Sequence, residues 1–229
     1  MGSLEYEVRR SDRARRVRIY VRADGVEVVV PRRASLSRVA PLVEEKRGWI
    51  ERTLERLRHA EAALPRPRLE DGGSVPYLGR WLALGVTVDG DSRRPRVHAG
   101  GGRLAVTVAE PGPAAVRDAL EPWYRERARA EVRERLDSAT ARAGRRYARL
   151  EIRAQRTRWA SCSPSGTMSF NWRLLLAPEV VLDYVVEHEV AHVDVPDHSP
   201  RFWALLESRC PGAREHERWL RHHGAALTL

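Results

Sequence analysis

The chain has 229 residues, 42% of them hydrophobic and 31% charged, which marks an ordinary globular protein able to bury a real core as one large domain or two small ones. No run of about 18 apolar residues is present for a membrane span, and the start Met1-Gly2-Ser3-Leu4-Glu5 lacks the apolar stretch of a signal peptide, so a cytoplasmic protein without membrane contact is expected. The net charge of +10 is carried almost wholly by arginine, with Lys46 the one lysine, and two cysteines, Cys162 and Cys210, are too few for a disulfide framework and read as reduced thiols.

In chain order, the first thirty residues alternate as short strands at Leu4 to Arg9, Val17 to Arg22 and Val26 to Val30, with Asp24-Gly25 as a tight hairpin turn. A helix is expected from about Ser37 to Leu64, where Leu42, Lys46, Trp49, Ile50, Leu54 and Leu57 share one stripe. Pro65 to Gly73 reads as a linker-like break. Further strands fit Arg80 to Val88 and Leu104 to Val108, separated by a turn at Gly100-Gly101-Gly102. Together with the first strands they are expected to make a small β-rich N-terminal lobe over residues 1–112. A long charged helix then runs from Ala114 to about Ala143. It is followed by a strand at Leu150 to Ala154 and by two apposed strands, Thr157 to Cys162 and Thr167 to Arg173, joined through Pro164 and Gly166. The fold class is α+β, with a second domain over residues 113–229.

Charge is unevenly spread. Arg125 to Arg158 holds 12 arginines against 5 acids, and Met1 to Arg22 holds 7 against 3. Such surfaces suit nucleic acid or nucleotide phosphate. Local pairing of Glu126, Glu131 and Glu134 with neighbouring arginines along a solvated helix is the favoured account, because no aromatic interleaving or nucleic-acid motif accompanies the charge.

The decisive stretch is His188-Glu189-Val190-Ala191-His192, followed by His198. Val180, Val181, Tyr184, Val185, His188 and His192 follow helical spacing, and residues four apart lie on one face, so His188 and His192 can offer nitrogens to one ion. Pro196 stops the helix. Asp197-His198-Ser199-Pro200 then turns the chain into a second helix, with Ser199 as N-cap and Pro200 at the first position, and can swing His198 back as third ligand. Three imidazoles leave a tetrahedral Zn²⁺ one open position for a water, whose pKa falls toward about 7, and Glu189 would take its proton. One Zn²⁺ per chain is expected. A zinc-ligand role for Cys162, set against the three-histidine set, is the weaker assignment, and three imidazoles accept other divalent ions as well.

These residues also carry a resemblance. His188-Glu189-Val190-Ala191-His192-Val193, then Asp197-His198-Ser199-Pro200-Arg201-Phe202-Trp203, resembles the signature of the YgjP-like metallopeptidases, relatives of the SprT and WLM zincin-like domains. Arg158-Trp159-Ala160-Ser161-Cys162-Ser163, Gly166 and Asn171-Trp172-Arg173-Leu174 are similar to further segments of that family, and weaker likeness extends to Trp49, Tyr77-Leu78-Gly79 and Trp123-Tyr124. Ala160 stands where the family usually has Gly, and Asp197 where Asn is more usual. The resemblance implies a zincin-like domain whose metal helix packs on a small sheet. In that fold an edge strand binds extended peptide by backbone pairing, and Thr157 to Cys162 or Thr167 to Trp172 could supply it.

Other residues near the motif have two readings each. Arg158, Asn171 and Tyr184 are candidates to bind substrate or a developing oxyanion, or else to hold the hairpin and core together. Trp203 is read as packing behind His198. Asp183, Glu187, Asp194 and Asp197 are candidates to accept the second N–H of a ligand imidazole. His216, His222 and His223 are read as surface residues on a last helix that Gly224 could cap, docked through Trp219 and Leu220.

The leading expectation is a zinc metallopeptidase acting on protein or peptide. A nucleoside triphosphate pyrophosphatase acting on UTP would use the same metal site, although no glycine-rich phosphate loop is present. A DNA-associated accessory protein with a structural zinc is the non-catalytic alternative. The oligomeric state is not legible from the residues.

Overall fold

The computed structural model describes residues 4–22, 25–63, 65–155 and 158–229, with side chains throughout except at 22 and 56–63. It divides into two compact units, Met1–Pro65 and Arg66–Leu229.

The first unit has strands β1 (Glu7–Ser11), β2 (Arg18–Arg22) and β3 (Gly25–Pro31) in the order β1-β3-β2, with β1 parallel and β2 antiparallel to β3. Val26, Val28 and Val30 alternate onto one face and pack with Val39, Val43 and Ile50 of helices α1 (Val39–Glu45) and α2 (Arg47–Ala63). The single helix expected from Ser37 to Leu64 is thus a 3₁₀ turn at Leu36–Arg38 followed by two helices. Lys46 between them departs from helical dihedrals (φ −96°, ψ 3°), so one stripe is not carried through, and Lys46 and Trp49 are exposed. Asp24 of the expected turn, the side chain of Leu57 and Leu64 at the expected helix end lie outside the described residues, as does Thr157 of the later strand.

The second unit opens with a four-stranded sheet, order β4-β5-β7-β6, from β4 (Ser74–Tyr77), β5 (Arg80–Val88), β6 (Arg96–Gly100) and β7 (Arg103–Val108), in which β5 and β7 run parallel. Two of these strands carry weak signals. Pro76 interrupts β4, and β6 is an almost wholly exposed edge. Helix α3 (Pro113–Arg142) places Val116, Ala119, Leu120, Tyr124, Ala128, Val132, Leu136 and Ala139 on a buried stripe at spacings of three and four. Leu84, Leu104, Val106 and Val108 of the sheet join that same core, which is why these strands belong with the C-terminal part and not with the first sheet.

A smaller sheet follows, order β8-β10-β9, from β8 (Arg149–Arg153), β9 (Ala160–Cys162) and β10 (Thr167–Asn171). β10 is flanked on both sides, parallel to β8 and antiparallel to β9. A 3₁₀ turn at Trp172–Leu176 leads into α4 (Glu179–Asp194), then α5 (Pro200–Arg209) and α6 (Ala213–His223). α4 is the central helix: Val181, Leu182, Val185, Val186, Val190 and Ala191 are all buried. Its first turn is fixed by the β4–β5 hairpin. Leu78 and Gly79 both take the left-handed conformation of a tight hairpin turn (φ 48° and 79°), and Leu78 N–H donates to the Leu175 carbonyl at 2.8 Å. A Cβ at Gly79 would sit 3.6 Å from the Pro178 Cα. Arg135 of α3 reaches Asp183 at 2.8 Å and also bonds Glu179, so part of the arginine-rich helix pins α4. Of the three glutamates expected to pair locally on α3, Glu131 does so, with Arg135 at 2.6 Å. No helix among the described residues is long and apolar enough to cross a membrane.

Candidate metal centre

His188 and His192 lie one turn apart on α4, and His198 is returned to them by the turn between α4 and α5. Asp197 Oδ1 accepts the Ser199 N–H at 3.1 Å, an Asx turn, and Pro200 then starts α5 with the fixed φ of a first helical position. The Ser199 hydroxyl makes no capping bond, and Asp197 instead shapes the turn that leads into α5. His188 Nε2 stands 3.1 Å from both His192 Nε2 and His198 Nε2, and the three ligand atoms lie within 4.8 Å of one another. A tetrahedral zinc with Zn–N of about 2.0–2.1 Å needs its nitrogens about 3.3–3.4 Å apart, so small side-chain adjustments bring the donors present into range of one ion. Among the described residues this is the one group of three or more potential ligands, and Cys162 is not in it.

The opposite ring nitrogens are held. His192 Nδ1–H donates to the Val195 carbonyl at 3.1 Å, and His188 Nδ1 faces the Tyr184 hydroxyl at 3.3 Å. The Val195 carbonyl can only accept, which fixes the His192 tautomer with Nε2 free for an ion, while the Tyr184 hydroxyl holds the orientation of the His188 ring. The four acids expected in this role are engaged elsewhere. Asp183 meets Arg135, Glu187 meets Arg142, Asp194 bridges Arg145 and Arg209, and Asp197 closes its own turn. A backbone carbonyl leaves no mark in a sequence, and Val195 is accordingly missed there. Phe202, buried on α5, is also missed as a site residue. Its ring stacks on His192 (4.5 Å between centroids, 26°) and meets His188 and His198 edge-on at 5.0 and 4.9 Å. Trp203 packs 6.2 Å from His198 under the guanidinium of Arg214, as expected of a support.

Glu189 is buried beside the histidines, with the Cys162 backbone N–H of β9 near enough to favour its charged form. Burial pushes its pKa up to about 7, against the opposing pull of that N–H and of the Arg158 charge. A divalent cation at the histidines would draw it down again. Burial, then the neighbouring His192 and His198, push His188 down to about 3, so the imidazole is neutral and ready to coordinate.

The remaining candidates separate. Arg158 and Tyr184 line a cavity of about 310 Å³ beside His188 and Glu189, together with Trp159, Ala160, Val185, Glu217, Leu220 and Arg221. Asn171 is not among the lining residues. Its side-chain N–H₂ donates to the Gln155 carbonyl at 2.8 Å and its Oδ1 accepts the Arg173 N–H, so its amide ties down the chain entering β9. Ala160 carries no positive φ, so the position does not require glycine's backbone freedom. The late histidines are less uniform than expected: His222 is exposed, whereas His216 is half-buried 6.3 Å from Tyr184 and His223 packs against Trp219.

The family model described as YgjP-like, metallopeptidase domain, matches residues 15–223. The chain belongs to the YgjP-like metallopeptidase family. The match covers the histidine triad, Glu189 and the β9–β10 hairpin alike. Two solved structures are similar to part of this YgjP-like chain. One is the metallopeptidase zymogen abylysin of Pyrococcus abyssi, 28% identical, covering 39% of this chain and 92% of that one, with a TM-score of 0.35. The other is the metallopeptidase zymogen jannalysin of Methanocaldococcus jannaschii, 21% identical, covering 40% and 93%, with a TM-score of 0.32. No curated protein matches. Membership of this family implies a metal ion and points to protein or peptide as the substrate class.

Proposed function

We propose that this chain is a zinc peptidase of the HExxH type, in which His188, His192 and His198 hold one Zn²⁺ and Glu189 is the general base. The observation that carries the reading is the meeting of three imidazole nitrogens, 3.1 Å apart at their closest, with a buried carboxylate from the next position of the same helix. When bound, zinc would polarise the scissile carbonyl and make water at its open position acidic near neutral pH. Glu189 takes the proton of the attacking water and returns it to the leaving amine. The nearby Cys162 N–H of β9 favours the charged form of this base. β9 is an edge of its sheet, so an extended peptide can add to it as a further strand. β10, the other strand considered for this role, has both edges already paired and cannot accept one. Tyr184 orients His188, and Arg158 borders the cavity beside the base.

A nucleoside triphosphate suits the cavity less well, because Glu189 and Glu217 oppose the two arginines that line it and Trp159, Ala160, Val185 and Leu220 supply much of its wall. A purely structural zinc leaves the buried Glu189 beside the open position without a purpose. Two free cysteines fit a reducing compartment such as the cytoplasm. The test is Glu189→Gln in protein purified without a histidine tag. About one zinc per chain should remain while hydrolysis of denatured casein falls by about 10²–10⁴-fold. Phosphate release from UTP, with casein untouched, would overturn the peptidase reading, and zinc content unchanged in His198→Ala would remove the third ligand.

A further inference from the structure

The cavity beside Glu189 has a chemical character that the metal site alone does not dictate. Its walls come from three elements: Trp159 and Ala160 at β9, Tyr184 and Val185 on α4, and Leu220 on α6. Trp159 is held in place from behind, since a Cβ on Gly224 would come within 2.8 Å of its ring. An apolar recess of about 310 Å³ next to the reacting groups is of the size that receives one large side chain. Two guanidiniums, Arg158 from the β9 side and Arg221 from α6, also line it, and neither makes an ion pair among the described residues. Glu217 is the opposing charge on the wall, and it lies 4.0 Å from Arg214, outside the cavity.

Apolar walls carrying two free guanidiniums fit a ligand that combines a hydrophobic side chain with a carboxylate, because a guanidinium offers planar paired donors to that group. We infer that this cavity is the specificity pocket of the peptidase, taking an aromatic or large aliphatic residue whose neighbouring carboxylate is held by Arg158 and Arg221. The assignment rests on the peptidase reading above. It makes the preferred substrates peptides that place a carboxylate immediately beside an apolar residue at the cleavage site. That carboxylate is either the free C-terminus or an adjacent Asp or Glu.

Three alanine-rich peptides separate the two sources: one ending in Phe with a free carboxylate, the same peptide amidated, and an amidated peptide in which Glu follows the Phe. Their affinity for metal-free Glu189→Gln protein is measured by calorimetry, and their cleavage by the zinc-loaded wild type is followed by mass spectrometry. Charge-assisted pairing at a partly exposed site predicts about tenfold weaker binding of the plain amidated peptide. Arg158→Gln and Arg221→Gln should each shrink that discrimination, and the double variant should abolish it. Arg218→Gln, on the same helix but outside the cavity, should leave it intact. A free terminus preferred over the Glu peptide identifies C-terminal residues as the target, and the reverse identifies acidic sequences within chains. Equal affinity for all three peptides, no binding of any, or discrimination that survives in the double variant overturns the pocket assignment. Discrimination in binding with no cleavage by the zinc-loaded protein keeps the pocket and sinks the peptidase reading.

Discussion

Phe202 offers the sharpest test of how the third ligand is held. Its side chain is fully buried, and its ring lies within 5.0 Å, centroid to centroid, of all three imidazoles. Phe202→Ala removes a ring from a packed site that a relaxed backbone cannot refill, a change that costs about 3–5 kcal/mol. For a unit of this size each kcal/mol is about 2–4 °C, so the metal-free protein should melt lower by about 6–20 °C. Phe202→Leu keeps apolar volume and loses the flat face against His192, so its stability cost should stay under about 1.5 kcal/mol. Zinc affinity should nonetheless fall in both, because the rings are no longer fixed in the orientation that brings the Nε2 atoms together. Calorimetric melting gives the first quantity, and competition against a zinc chelator gives the second. A Phe202→Leu protein that binds zinc as tightly as wild type would refute the claim that this ring sets the ligand geometry.

Tyr184→Phe removes the partner of His188 Nδ1 while leaving the ring in place. Zinc affinity should drop by about tenfold, the low end for an outer partner given the 3.3 Å contact, and chelator competition reads it. Gly224→Ala drives a methyl into the Trp159 ring and should cost about 1–3 kcal/mol by denaturant titration, with a Trp fluorescence change in the folded baseline. Cys210 is pushed up to about 11, chiefly by burial and then by nearby Glu187 and Asp183, so its thiolate is scarce at neutral pH. Its alkylation by iodoacetamide should be slow at pH 8 and accelerate as pH rises toward 11. A rate at pH 8 matching a free thiol would contradict that environment.

Much of the catalytic unit was legible in the residues. The apolar stripe of α3 repeats at three and four, and α3 and α4 fall where their spacing places them, because a helix buries what its own period aligns. The first unit was less legible. The break at Lys46 is a local dihedral departure, and it turned a plausible stripe that included Trp49 away from the sheet. β4 and β6 lack the alternating apolar pattern of a half-buried strand, one holding a proline and the other lying exposed at an edge.

By itself the sequence singled out the proposed ligand set, the proposed base and the family resemblance, because these depend on residue types at fixed spacing along one helix and the turn after it. Tertiary structure alone decided what surrounds them. It drew β4 to β7 into the core of α3. It gave the imidazole partners to Tyr184 and the Val195 carbonyl in place of four acids, and it left β9 rather than β10 with a free edge. It also brought Arg221, far along the chain, to the same cavity as Arg158. The physical reason is the same in each case. A side chain's chemistry travels with its residue, whereas its partners are set by packing between segments that the order of residues does not place side by side.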